Sequence, residues 1–392
     1  MNATATATAI ATTTSRLICL AAVMMLVSCG SNESDIRPPA KLIDFEPSAS
    51  LSQQWSVKTK AKQDKRFSRL SLAHNDGKLY AAGVDGHVMA IAADSGKTVW
   101  SRDIGQDISG AVGIGNGLVL VGTYEGQVFC LAAQTGELKW QAQASSEILS
   151  APQTNGDVVV AVTSDGQVFA FDAQTGANRW RYDHPVPVLS LRTTAAPLVS
   201  STQVFVAFDN GQLLSLSAAD GASQWSTRVG QPKGISELER LVDIDATPML
   251  VGGILYAASF QGAIMALSRA EGRVLWRNDI STYNDLAHAR DAVYVTTDDS
   301  TVVAFKRGNG DILWQHDQLY RRDIGAPAAL GDYLVTIDKH GYLHMLKQED
   351  GSFAYRFEPP GKGFRSPPLV VRDTLYLLSN NGRLSAYHVA DQ

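Results

Sequence analysis

The sequence predicts an all-β fold, an eight-bladed β-propeller of four-stranded antiparallel blades, on three observations. One motif recurs with a period of about 40 residues, the size of a single four-stranded blade. Each copy reads as short strands punctuated by Gly, Asp and Asn turns, with no amphipathic helix of useful length between them. The two halves of the motif occur in equal number only if the N-terminus is counted together with the C-terminus.

The motif is visible in DGHVMAIAADSGKTVW (85–100), EGQVFCLAAQTGELKW (125–140), DGQVFAFDAQTGANRW (165–180), NGQLLSLSAADGASQW (210–225), QGAIMALSRAEGRVLW (261–276), DSTVVAFKRGNGDILW (299–314) and HGYLHMLKQEDGSFAY (340–355). After its first glycine comes an apolar, β-rich strand. A turn follows in which glycine is free to take positive φ, and a short strand then ends in tryptophan. Upstream segments such as GLVLVG (117–122), QVFVAF (203–208) and TLYLLS (374–379) supply a further strand.

The glycine-and-strand half occurs at Gly86, Gly126, Gly166, Gly211, Gly262, Ser300, Gly341 and Gly382. The strand ending in an aromatic occurs at Trp100, Trp140, Trp180, Trp225, Trp276, Trp314 and Tyr355, and once more at Trp55, which no repeat precedes. The last unit, NGRLSAYHVADQ (381–392), stops before its aromatic. Pairing LSQQWSV (51–57) into the last blade closes the ring and leaves no open sheet end. The alternative is a seven-bladed ring with a stray N-terminal strand.

All seven tryptophans belong to this pattern. A large aromatic at one place in each blade is expected to pack on the neighbouring blade rather than form a ligand platform. Cys130 falls in a column with Ala90, Ala170, Ser215, Ala266, Ala304, Met345 and Ala386, so it is expected to be an inert buried thiol.

Residues 1–28 read as a lipoprotein signal peptide. Arg16 precedes the apolar run LICLAAVMMLV (17–27), which is too short to span a bilayer as a helix. The run ends Leu26-Val27-Ser28-Cys29, which looks like a bacterial lipoprotein cleavage box; the alternative is a plain signal peptide followed by a chance cysteine. The resemblance implies cleavage before Cys29 and acyl chains upon it, which anchor firmly at about 0.8 kcal/mol per buried CH₂. Gly30 follows the cysteine; by resemblance to enteric lipoproteins an Asp there would imply retention at the inner membrane, so the outer membrane is expected. The expected organisation is a signal over 1–28, a flexible tether over 29–50 and the propeller over 51–392. With Cys19 removed and Cys29 acylated, Cys130 has no partner for an intramolecular disulfide.

The residues offer little chemistry. A net charge of −5 argues against nucleic acid. The eight histidines are scattered, and no Cys/His cluster has zinc spacing. There is no G-x-S-x-G, P-loop or HExxH. The segment DDS (298–300) occupies a turn; calcium binding there is the alternative, and no metal site is expected. No cofactor is expected.

Binding sites on a regular scaffold appear as departures from regularity in its loops. The path from tryptophan to the proline opening the next blade is 12 residues at Trp140–Pro152 and 13 at Trp314–Pro327, but 17 at Trp180–Pro197 and 23 at Trp225–Pro248. The two enlarged connections are consecutive, so a ring places them side by side on one face. The first contains HPVPVLSLRTTAAP (184–197), in which Leu189 and Leu191 alternate, with Arg192 beside them. The second contains GISELERLVDIDATP (234–248), in which Asp243 and Asp245 alternate. Apolar, cationic and anionic groups together suit a protein contact. Equally open from composition is that the leucines enter the core and Arg192 pairs with an aspartate internally.

The repeat resembles the quinoprotein (PQQ-type) propeller repeat, most closely in DAQTGANRW (172–180). That resemblance implies the fold, and as an alternative function a PQQ-dependent periplasmic dehydrogenase. The quinone and calcium such enzymes carry, and their vicinal disulfide, find no matching residues. Together with the lipoprotein box, the LSLR and RL-x-D-x-D-x-TP segments make the chain similar to the BamB family, non-enzymatic lipoproteins of the machine that assembles outer-membrane β-barrels. The resemblance implies a scaffold subunit, lipid-anchored at the outer membrane and facing the periplasm. It implies binding to the periplasmic POTRA domains of BamA through Leu189, Leu191, Arg192, Asp243 and Asp245. Nascent outer-membrane proteins, held at an exposed blade edge by β-augmentation, are a further expected partner.

Overall fold

Eight sheets make up the ring in the computed structural model, which describes residues 38–64, 69–187, 195–231, 235–236 and 242–390. In chain order the blades cover 73–103, 108–143, 153–183, 198–228, 249–280, 287–316, 328–357 and 369–389. Each of blades 1 to 7 is an antiparallel four-stranded meander. Blade 8 takes only three strands from the C-terminus; its fourth is the N-terminal strand Leu51–Lys58, which pairs antiparallel with Arg383–Val389. The ring is therefore closed as the count of half-motifs predicts. Blade 2 adds a feature the sequence did not suggest, a two-residue strand Arg69–Leu70 lying parallel to Gly110–Ala111.

The repeat's columns become cross-strand pairs. Trp55 faces Ala386, Trp100 faces Ala90, Trp140 faces Cys130, Trp180 faces Ala170, Trp225 faces Ser215, Trp276 faces Ala266 and Trp314 faces Ala304. A small residue opposite leaves room for the indole. Where the aromatic shrinks to Tyr355, the partner grows to Met345. The register slips just before each aromatic, a bulge that turns its side chain toward the next blade.

Each indole then bonds across the gap. Nε1 of Trp55, Trp100, Trp140, Trp180, Trp225, Trp276 and Trp314 donates to a carbonyl of the following blade at 2.8–3.1 Å. The ring faces lie on the turn glycine of that blade. A Cβ at Gly176 would come within 2.7 Å of Trp140, so this position has no room for a side chain and also holds φ near +75°. The core is distributed: the buried apolar residues form eight clusters, each shared by two adjacent blades. Cys130 is fully buried, and burial pushes its thiol up to about 12, as an inert position requires.

The tether expected over 29–50 is held along its last stretch. Ala49 is buried against blades 7 and 8, and Ser48 donates its N–H to the Ala354 carbonyl at 3.0 Å.

Candidate functional site

In a four-stranded meander the turn between strands two and three lies on the same face as the connection to the next blade. Both enlarged connections therefore open on one face of the ring, between blades 3 and 4 and between blades 4 and 5. Their described ends are tied to those turns. His184 donates its N–H to the Gly166 carbonyl at 3.1 Å, and Val229 and Gly230 donate theirs to the Gly211 carbonyl at 2.9 and 3.2 Å.

The first connection starts against an aromatic. The His184 imidazole stacks on Phe208 at 3.9 Å between centroids, and its Nε2 contacts Asn210 Nδ2 at 2.9 Å. Burial lowers the His184 pKa, so the ring is neutral near pH 7. Pro185, Val186 and Pro187 continue over a shallow hollow floored by Val162, Ala207 and Phe208. Val186 is exposed. Leu189, Leu191 and Arg192 lie outside the described residues. The connection is described again from Ala195, which is buried with Phe205, Leu213 and Ile244.

The second connection returns through a tight passage. A Cβ on Gly211 or Gly230 would come within 2.6 or 2.4 Å of the Val242 side chain, so both glycines are required for the crossing. Val242, Ile244 and Ala246 are buried, Ile244 between blades 4 and 5 and Ala246 between blades 5 and 6. Asp243 forms a bridge with Phe260, whose N–H donates to the Asp243 carbonyl at 2.8 Å. Asp243 and Asp245 are 0% and 1% exposed. Alternation did not send them outward, because the segment is covered on both sides by the turns it threads. Ile235, by contrast, is 99% exposed. Thr247 donates its N–H to Asp285 Oδ1 at 2.7 Å, which fixes the end of the connection to the next one. Thr247, Asp285, Ala196, Ser150 and Arg365 line a small hollow at the axis, about 90 Å³ in volume.

Among the described residues no three His, Cys, Asp or Glu side chains are grouped so as to hold a metal ion.

Comparison with known proteins is consistent with this geometry. The family model described as outer membrane protein assembly factor BamB matches residues 84–316. The chain is 46% identical over 370 residues to a protein of that name from Pseudomonas aeruginosa, covering 94% of this chain and 97% of that one. It is 42% identical to one from Alkalilimnicola ehrlichii, covering 96% and 97%. The crystal structure of BamB from Moraxella catarrhalis superposes with a TM-score of 0.79 at 29% identity, covering 86% of this chain and all of that one. A quinohemoprotein alcohol dehydrogenase from Comamonas testosteroni superposes at 0.67 with 13% identity, which is a likeness of fold alone.

Proposed function

The chain belongs to the family of outer membrane protein assembly factor BamB, and from that premise we propose that it docks on BamA through the face carrying its two enlarged connections. Membership makes it a non-enzymatic subunit of the outer-membrane β-barrel assembly complex, associated with the outer membrane on its periplasmic side. The dehydrogenase alternative has only the shared fold in its favour.

The observation that carries the docking reading is the adjacency of the two connections on one face. Leu189, Leu191 and Arg192 are assigned the direct contact with the POTRA domains. Asp243 and Asp245, being buried, are assigned the positioning of that contact from below. A buried carboxylate paired with a cation of the binding segment would fix that segment before binding, which lowers the ordering cost of association. Cys29 is assigned the lipid anchor, after removal of residues 1–28.

Capture of purified BamA POTRA domains tests the assignment. Leu191→Ala and Arg192→Ala are expected to weaken binding by about tenfold or more, as for contacts worth ~1.4 kcal/mol or more, with unchanged thermal unfolding. Undiminished binding by both variants overturns the site.

A further inference from the structure

Blade 7 holds a buried polar cluster that docking does not use. Asp338, in the turn between its second and third strands, is 2% exposed. It accepts Nε and Nη2 of Arg322 at 2.8 and 2.6 Å and the backbone N–H groups of His340 and Tyr342 at 2.9 and 3.0 Å. Nε2 of the fully buried His344 lies 3.1 Å from the same carboxylate. On the other side of that imidazole, Nε of Arg356 donates to Nδ1 at 3.2 Å. These two contacts assign the neutral tautomer, with its proton on Nε2 facing Asp338.

Both arginines reach from this cluster to a single peptide. Nη1 of Arg322 donates to the Ala40 carbonyl at 3.2 Å, and Nη1 of Arg356 donates to the Ile43 carbonyl at 2.8 Å. The Arg356 guanidinium also lies 5.0 Å from the Phe45 ring and 4.7 Å from the Phe353 ring, and the two rings stack at 5.0 Å. Ala40 and Ser48 donate their N–H groups to the carbonyls of Tyr320 and Ala354 at 2.9 and 3.0 Å. Closure of the ring begins at Leu51 and requires none of this. Tyr320 and Arg322 belong to a connection between blades and Asp338 to a second-to-third-strand turn. The Ala40 end of the peptide is thus held at the face that bears Asp243 and Asp245, and from there the peptide runs along the outer strand Phe353–Phe357 toward the opposite face.

We propose that Arg322, Arg356 and Phe353 form a latch for the chain's own leader, gripping residues 40–48 so that the tether from Cys29 departs beside blades 6 and 7 on the docking face. At its membrane end the proposal rests on acylation of Cys29. The length of chain from Cys29 to Pro39 can reach at most roughly 35 Å; released as far as Ser50 the reach would be roughly twice that. The latch therefore keeps one sector of the docking face close to the bilayer.

Hydrogen exchange on the full mature lipoprotein tests the grip. Peptides covering 40–48 are expected to exchange about 100-fold or more slowly than free chain, and Phe45→Ala or Arg356→Ala to quicken them by about tenfold or more while blade 3 is unchanged. Phe45 lies on the leader, so its variant reports on the latch even where Arg356→Ala unsettles blade 7. Free-chain exchange over 40–48 in the wild type overturns the latch. On vesicles, a fluorophore at Lys339→Cys, beside the exit, should be quenched by nitroxide lipids more than one at Glu349→Cys on the opposite face of the same blade. Phe45→Ala should narrow that difference, and equal quenching in the wild type overturns the placement. Intact mass comes first: a chain without acyl groups refutes the anchor and leaves exchange to decide the latch.

Discussion

Seven blade interfaces and the eighth are closed by different chemistry. At seven of them an indole crosses the gap, lies on a turn glycine and donates to a carbonyl. At the eighth, between blades 7 and 8, the aromatic is Tyr355, and the blade it faces takes its outer strand from Leu51–Lys58, so no hairpin between its third and fourth strands offers a receiving turn. There the leader takes over. Ala49 enters the shared apolar cluster, Ser50 accepts the N–H of Ala390 at 2.9 Å, and Phe45 extends the contact along blade 7. The difference teaches that the tryptophan and its acceptor are one device. Where the outer strand comes from Leu51–Lys58 and no hairpin turn offers the acceptor, the donor is also absent, and an unrelated segment supplies the burial.

The largest way to break that comparison is to remove residues 38–58. Blade 8 would keep three strands and an open edge at Arg383–Val389. Thermal unfolding is expected to lose its cooperative transition; a wild-type melt would show that the ring does not depend on this closure. Next, Trp140→Ala at a regular interface should cost about 3–5 kcal/mol in denaturant unfolding. Asp338→Ala should cost about as much, ~3–5 kcal/mol, since it strands Arg322 beneath the leader.

Blades 6 and 7 should also respond to acid, because each buries an imidazole, His316 and His344. Burial pushes His316 down to about 4 and lowers His344 as well. Both folded values lie below the unfolded value of about 6.5. The unfolded chain therefore binds more protons between these limits, and stability is complete above pH 6.5 and falls toward pH 4. Burial would raise Asp338, but the hydrogen bonds of His344 and Arg322 outweigh it and hold it at about 2. Its contribution persists above about pH 3.8 and is lost below that. His316→Phe should flatten the upper limb of the stability–pH curve by about 2–3 kcal/mol. An unchanged slope would place the acid sensitivity elsewhere. The smallest expected effect is Tyr355→Trp. With Met345 opposite and no turn to receive it, the added ring should lose about 1 kcal/mol rather than gain. Stabilisation would separate the indole from its acceptor.

The ring was legible because its evidence is repeated. Cys130 and Met345 could be placed opposite their aromatics by aligning columns, and Trp55 could be assigned to the last blade by counting. What occurs once was harder. Arg69–Leu70 is too short to carry a pattern. Asp243 and Asp245 alternate as a strand would, but alternation does not say which sides are covered, and here both are. The latch is drawn from a connection, a turn and two strands, so no local spacing joins Arg322, Asp338, His344 and Arg356. One signal was present: His344 stands in the column that holds Met89, Phe129, Phe169, Leu214, Met265, Val303 and Ser385. The one imidazole in this mostly apolar column marks the blade whose interior is different.

The pairing of Leu51 with Val389 sets an order of events in time. Contacts within blades 1 to 7 join neighbours in sequence and need no waiting. The strand Leu51–Lys58 finds its partner only in Arg383–Val389, with seven blades between them in sequence, so its loop closure comes after everything else. Until then the ring is a string of formed blades with two unfinished ends. A chain interrupted before blade 8 lacks the partner of Leu51–Lys58, and its sheet edges stay open.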